Sequence, residues 1–195
     1  IAAITYLLVH FFKYNQQIKS ITNINLAVSR VSKLVFALKN YSRKDLTGDK
    51  KIRVEIPNSI DMVLTLYHNQ IKQGVEVEID MQIPNPIKCF ESEISQVWTN
   101  LIHNALQAMK NTGKLKIKGF QNEQSTIIEI IDSGPGIPKE TQSQIFRPFF
   151  TTKPAGEGTG LGLDIVNRII TKHKGKISVT SEPANTCFRV VLPNQ

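Results

Sequence analysis

Cysteine is scarce in this sequence: only Cys89 and Cys187 occur in 195 residues. Both stand in apolar, strand-like surroundings without metal-like spacing. That excludes a disulfide framework and a cysteine-based metal site, and both are expected to be buried thiols in a reducing, cytoplasmic setting. Tryptophan occurs once and aromatic residues make up 7%. The basic clusters carry no regular aromatic interleaving, and zinc-finger and helix-turn-helix patterns are absent, which argues against sequence-specific nucleic-acid recognition. No apolar run approaches the ~20 residues that a membrane span requires. The run IAAITYLLVHFF at residues 1–12 reads instead as half of a buried helix. No internal repeat or low-complexity tract occurs. Acidic residues are in deficit, 16 against 24 Lys and Arg, leaving a net charge of +8. That balance suits a phosphorylated ligand, an anionic membrane surface or nucleic acid without choosing among them.

Glycine and proline are absent from residues 1–42, so this stretch reads as helix throughout. Ile24, Val28, Val31, Val35 and Leu38 recur at alternating steps of four and three, the seam of a coiled coil or bundle. The pattern predicts two antiparallel helices, broken between Asn15 and Asn23, that bury their apolar faces by pairing with a second copy; capping of the main domain is the alternative. The polar segment SRKDLTGDKK then makes a boundary, giving a helical element over residues 1–45 and a second domain over 51–195. The chain opens on Ile, and it is expected to be a fragment.

Beyond the boundary, strands and helices alternate. KIRVEI reads as a strand, and Ser59 is placed as the N-cap of a helix through SIDMVLTLYHNQIKQ, closed by Gly74. VEVEIDM, residues 87–90, LKIKGF, STIIEIID, KISVTS and CFRVVLP read as further strands. Helices are expected at residues 91–110 and 163–173. Hairpin-like neighbours imply an α+β sandwich, with a mixed sheet covered by helices on one face.

Glycine, rare elsewhere, crowds one stretch between Asp132 and Asp164. Gly134 and Gly136 follow a strand, while Gly158, Gly160 and Gly162 alternate just before a helix-forming run. Such spacing lets backbone approach a ligand closely and presents free N–H groups at a helix start, the arrangement that suits phosphate. Asp132 ends the apolar strand IIEII, where a carboxylate can accept a hydrogen bond from an exocyclic amine; capping of a turn is the common alternative. Asn100 and Asn104 lie four residues apart on one helix face. Alone they would pass for a solvated polar face. Beside the glycine stretch, their carboxamide oxygens suit Mg²⁺ that also takes phosphate oxygens. Between the glycine pairs, IFRPFFTTKPAGEG has the character of a lid, anchored by Phe146, Phe149 and Phe150, with Lys153 able to reach a terminal phosphate.

In order and spacing these segments resemble the four boxes of the GHKL (Bergerat) ATP-binding fold, specifically the catalytic domain of bacterial sensor histidine kinases. NLIHNA at residues 100–105 corresponds to the N box, DSGPGIP from Asp132 to the G1 box, FRPFFTTK to the F box, and GEGTGLGL from Gly156 to the G2 box. The resemblance covers residues 51–195. Less sharply, residues 1–42 resemble the dimerisation and histidine-phosphotransfer helices that precede that domain, implying a homodimeric four-helix bundle.

The resemblance implies Mg²⁺-ATP as the cofactor. Asn104 with Asn100 would bind the metal, Asp132 would take adenine N6, and Gly134 and Gly136 would shape the base pocket. Gly158, Thr159, Gly160, Leu161 and Gly162 would line the phosphates, with Lys153 assisting. Thr186 falls where the family often has a Thr near adenine, although the G-T-x-F pattern reads N-T-C-F here. Gln107 stands where many relatives carry a basic residue for phosphate. The related hydrolases have a Glu at the position of Asn100 to activate water, and a neutral Asn cannot serve as that base. Implied, then, is transfer of the γ-phosphoryl group to a histidine and onward to the receiver domain of a response regulator. The family's acceptor, a His followed by an acidic residue, is not evident; His10 is a weak candidate. A GHKL ATPase or protein-serine kinase, and a non-catalytic dimeric nucleotide-binding scaffold, are the alternatives.

Overall fold

The computed structural model describes residues 50–154 and 158–194. The expected helices of residues 1–45, with their dimer seam and His10, lie outside the described residues. Residues 50–150 and 160–194 belong to one compact unit, and the described part of Thr151–Thr159 falls outside it and is treated separately.

The unit opens with β1 (Ile52–Val54) and α1 (Ile56–Leu66), then a one-turn helix α2 (His68–Ile71), β2 (Val75–Gln82), β3 (Ile87–Cys89) and the long helix α3 (Glu91–Ala108). Strands β4 (Gly113–Gln121) and β5 (Ser125–Asp132) follow, then a short α4 (Lys139–Gln142), α5 (Gly162–Lys172), β6 (Lys176–Glu182) and β7 (Asn185–Pro193). The sheet is mixed, in the order β2-β4-β5-β7-β6. β2 pairs parallel with β4, and the other neighbours are antiparallel. β1 and β3 form a separate two-stranded ribbon.

One face of the sheet is apolar because alternate residues of each strand point the same way. Leu115, Ile117, Ile128, Ile130, Phe188 and Val190 line it, all buried. Helix α3 covers it with Ile94, Val97, Trp98, Leu101, Ile102, Ala105 and Leu106, again all buried. Each large side chain so removed from water contributes roughly 1.5–3 kcal/mol before conformational entropy is subtracted. Trp98, the sole tryptophan, is fully enclosed at the centre of this layer. α1 packs on α3 from one side and α5 from the other.

The opposite face carries charge in alternation. Asp80, Lys118, Glu129 and Arg189 lie in one cross-strand row, and Arg189 pairs with Glu129 at 3.5 Å. Lys114 and Lys116 pair with the Glu76 and Glu78 carboxylates of β2. Opposite charges placed directly across a ladder favour this register and solvate the uncovered face.

The first helix departs from the sequence expectation. It begins at Ile56 rather than after Ser59, because Pro57 occupies its first turn, where the missing N–H costs nothing. Ser59 is instead buried within the helix, its hydroxyl 3.2 Å from that of Ser95 on α3. The helix also breaks at Tyr67 before the turn that ends at Gly74, where the Gly74 N–H donates to the Ile71 carbonyl (3.2 Å).

At the far end of the core His173 ties α5 to α3. Its Nδ1 lies 2.8 Å from the Ile169 carbonyl, and the Phe90 N–H at the start of α3 donates to its Nε2 (3.1 Å). Accepting at Nε2 fixes the Nδ1–H tautomer, and burial pushes the imidazole pKa below its ordinary value. His173 is therefore a neutral structural bolt.

Among the described residues no helix is long and apolar enough to cross a membrane.

Candidate functional site

The candidate site is laid out along one face of α3. Asn100, Asn104 and Ala108 follow one another at four-residue steps, so they share a face and span about 12 Å of helix axis. At one end of that face lies the start of α5. A Cβ on Gly162 would stand 3.3 Å from Asn100 Oδ1. The Asn100 amide nitrogen donates to the Gln96 carbonyl (3.0 Å), so the oxygen, not the NH₂, is turned toward the α5 N-terminus. At the other end lies the turn after β5. A Cβ on Gly134 would come 3.1 Å from the Ala108 Cβ and 2.7 Å from Asp132 Oδ1. A side chain at 134 would displace the Asp132 carboxylate and crowd Ala108, whose small size is part of the same fit.

Asp132 ends β5 with its side chain buried among the core residues. Its Oδ1 accepts the Gly134 N–H at 2.9 Å. Burial drives its carboxyl pKa up from 3.8 to about 6, a rise only partly opposed by that N–H. The same cross-strand row continues from Leu115 through Asp132 and Thr186 to Ser181. Thr186, nearly fully buried, therefore sits next to Asp132 on the covered face. Its Oγ1 is 2.8 Å from Ser181 Oγ.

The turn is tied to the β6–β7 connection. The Ala184 N–H donates to the Gly134 carbonyl (2.8 Å), and the Ile137 N–H donates to Ser181 Oγ (2.7 Å). Gln142 Nε2 donates to the carbonyls of both Ile137 and Ser181 (2.8 and 3.0 Å). Gly136 adopts φ +86°, and a Cβ there would come within 2.9 Å of the Glu182 carbonyl carbon and oxygen. No other residue fits that conformation and that gap together.

The second glycine group is divided between the two units. Gly160, Leu161 and Gly162 belong to the main one and lead directly into α5. Leu161 is buried as the N-cap residue, and its carbonyl accepts the Ile165 N–H at 2.9 Å. Asp164, buried in the first turn of α5, supplies an acidic group where helix N–H groups favour one. Gly160 has φ +67°, and a Cβ there would lie 2.3–2.7 Å from the Phe149 backbone. Phe149 itself has φ +64° and is 68% exposed. It is therefore not an apolar anchor. Phe146 and Phe150 do pack against the core, whereas the left-handed turn at Phe149 swings its ring into solvent.

Lys153, Gly158 and Thr159 lie in the separate segment. Within it the Lys153 N–H donates to Thr151 Oγ1 at 3.1 Å. A Cβ on Gly158 would meet that hydroxyl at 2.5 Å and Lys153 Cβ at 3.3 Å. The segment thus folds Gly158 back onto its own beginning.

The main unit brings together Asn100 with Gly162 at one end of the α3 face, and Asp132, Gly134, Gly136 and Thr186 at the other. Asn104 stands between them on that face. Ala108, Ser181 and Gln142 complete the arrangement and were not singled out from sequence. Ala108 continues the N-x₃-N-x₃-A spacing and was legible there. Ser181 reaches Thr186 only through the β6–β7 register, for which the sequence holds no local signal.

The donors fit a magnesium nucleotide. A half-open face offers neutral amide oxygens near a helix N-terminus, and a buried carboxylate lies at its far end. Among the described residues no three His, Cys, Asp or Glu side chains cluster to hold a metal by themselves. A cation on this face would thus draw the rest of its oxygens from phosphate and water.

Residues 90–195 match the family model described as histidine kinase-, DNA gyrase B-, and HSP90-like ATPase. The sensory histidine kinase/phosphatase NtrB of Rhodobacter capsulatus is 39% identical over 114 residues, covering 52% of this chain and 32% of that protein. The nucleotide-free catalytic domain of histidine kinase ThkA superposes with a TM-score of 0.68 at 30% identity, over 73% of this chain and 97% of that domain. ThkA in complex with the response regulator protein TrrA gives a TM-score of 0.74 at 26% identity, over 88% of this chain and 50% of that one. The chain spans 21% to 32% of the length of the first curated relatives.

Proposed function

The chain belongs to the histidine kinase-, DNA gyrase B-, and HSP90-like ATPase family, and from that premise we propose that it is the catalytic, Mg²⁺-ATP-binding end of a sensor histidine kinase. In this reading residues 51–195 form the ATP-binding domain. Residues 1–45 belong to a dimerisation element, through which two copies pair. The protein works in the cytoplasm and hands its phosphoryl group to a histidine, from which the receiver domain of a response regulator takes it. Similarity to ThkA, solved with a response regulator, supports that partner class.

Each residue has a physical role. Asp132 accepts the exocyclic N–H of adenine, with Thr186 beside it and Gly134 and Gly136 giving the ring access. Asn104, with Asn100, holds Mg²⁺ by carboxamide oxygen. The N–H groups from Gly160 through Gly162 present the α5 N-terminus to phosphate; for Lys153, Gly158 and Thr159 a phosphate role rests on the family resemblance alone. When bound, Mg²⁺ would neutralise phosphate charge and hold the chain of phosphates in line. What the protein supplies is position and electrostatics rather than covalent chemistry.

One observation carries the choice of transfer over hydrolysis. Asn100 commits its NH₂ to Gln96 and turns a non-basic oxygen toward the start of α5. An amide oxygen there cannot draw a proton from water, so ATP is retained for a side-chain acceptor. The test is calorimetric binding of Mg²⁺-ATP, followed by assay of phosphate transfer to a histidine-bearing helix pair supplied in trans. Acid-labile, base-stable phosphate on that partner is expected, with little release of free phosphate. Base-labile phosphoserine, or multiple-turnover hydrolysis without an acceptor, would overturn the reading. The chain alone is expected not to label itself, and a stable phosphate on His10 would refute that.

A further inference from the structure

Ser181 is not itself assigned to the ligand, yet it bonds to Thr186, which is, and so governs what Thr186 can do. The Ile137 N–H can only donate, so it occupies one lone pair of Ser181 Oγ. The remaining contact of that hydroxyl is Thr186 Oγ1 at 2.8 Å, and either atom could donate across it. Both residues are more than nine-tenths buried, and among the described residues neither hydroxyl has another partner. One proton of the pair is therefore unmatched.

The surroundings decide which. Ser181 stands on the edge strand beside the Ile137 amide, with Gln142 donating to the carbonyls of Ile137 and Ser181. A proton left over there would stay buried without an acceptor, a costly arrangement. Thr186 lies in the row next to Asp132, where a ligand can supply the acceptor. The favoured order is a relay of donors from Ile137 N–H to Ser181 to Thr186 and then outward, each bond polarising the next.

We infer that Ser181 is a positioning residue for base recognition: it donates to Thr186 and so obliges the Thr186 hydroxyl to act as a donor beside the Asp132 acceptor. An acceptor and a donor side by side complement the adenine edge, which offers an N6 donor next to the N1 acceptor. Guanine presents the reverse, the O6 acceptor next to the N1–H donor, and meets repulsion at both positions. The assignment rests on the ATP reading above and extends it to a residue that touches no nucleotide. It holds whether Thr186 reaches N1 directly or through one water.

The experiment measures equilibrium binding of ATP, GTP and 1-deaza-ATP, whose N1 is replaced by C–H, to the whole chain and to Ser181→Ala. The wild-type chain is expected to prefer ATP to 1-deaza-ATP by about tenfold. In Ser181→Ala the Thr186 hydroxyl is free to turn, so ATP should weaken severalfold while 1-deaza-ATP is unaffected, the discrimination should shrink accordingly, and the margin over GTP should narrow. Ser181→Thr, which keeps the hydroxyl, should restore the wild-type ratio. Equal weakening of ATP and 1-deaza-ATP would overturn the inference, since a merely structural role lowers both together. Ser181→Cys, similar in size but a weak donor, gives the same ratio test should the alanine variant melt early. A wild-type chain that binds none of the three would sink the ATP reading itself, a result distinct from intact but unaltered discrimination in the variant.

Discussion

The two glycine turns that frame the candidate site are built on opposite plans. The turn after β5 is held by side chains: Asp132 accepts the Gly134 N–H, Ser181 accepts that of Ile137, and Gln142 bridges two carbonyls. The turn before α5 is shaped by backbone meeting backbone, where Gly160 presses on Phe149 and both have positive φ. The first is preorganised and anchored to a sheet hairpin. The second packs against the Phe149 backbone rather than against the sheet. A base, which must be told from other bases, suits the first plan, while phosphate, which asks only for charge and N–H groups, suits the second.

The largest effect should fall between the two turns. Asn104→Ala is expected to abolish Mg²⁺-dependent nucleotide binding, a loss of about a hundredfold or more, with the melting temperature unchanged. Unaltered calorimetric binding would remove Asn104 from the site.

Glycine substitution sharpens the contrast next. Gly136→Ala forces a Cβ onto the Glu182 carbonyl group in a left-handed conformation and should cost about 2–3 kcal/mol, lowering Tm by roughly 5–10 °C. Gly160→Ala meets the Phe149 backbone still more closely, also at positive φ, and should lower Tm at least as much while weakening triphosphate binding more than adenosine binding. A Gly136→Ala variant that also lost triphosphate binding more than adenosine binding would break the comparison.

Asp132→Asn should be smaller in binding and opposite in sign for stability. The buried carboxyl has a folded pKa of about 6, above its unfolded value. Its favourable contribution is therefore complete below about pH 4 and lost as pH rises through about 6. The asparagine variant should accordingly be more stable than wild type above pH 6, by about 1–3 kcal/mol, with the gap closing by about pH 4. ATP should bind it roughly tenfold more weakly at neutral pH. Acidification through pH 6 should also weaken wild-type binding more than that of the variant, a difference in which titration of the phosphates cancels. Denaturant melts over pH 4–8 check the first claim and calorimetry the second.

The smallest effect belongs to His173, remote from both turns. Its pKa is depressed, so its contribution is present above the unfolded value of about 6.5 and lost as pH falls below it. His173→Gln should flatten that acid limb in denaturant melts while leaving nucleotide affinity untouched.

Much of this was readable before any coordinates. Alternation in STIIEIID and CFRVVLP gave the covered face, and the spacing of Asn100, Asn104 and the glycines pointed to residues that the fold does bring to the two ends of one helix face. The failures have a common origin. Ser59 passes for a cap by its type, but Pro57 in the first turn moves the helix start past it. Phe149 passes for a core residue by its hydrophobicity, but a left-handed backbone turns it outward. Ser181 is unremarkable until strand register sets it beside Thr186. Local chemistry was legible, whereas direction and register are properties of the assembled sheet.

Trp98, sealed under the sheet two residues before Asn100, has an optical consequence. Because the chain holds one indole, all of its tryptophan emission originates inside the α3 layer. A blue-shifted spectrum reports that this layer is closed, and a red shift on heating marks its opening. Fluorescence melting thus reads the sandwich alone, blind to whatever residues 1–49 do at the same temperature.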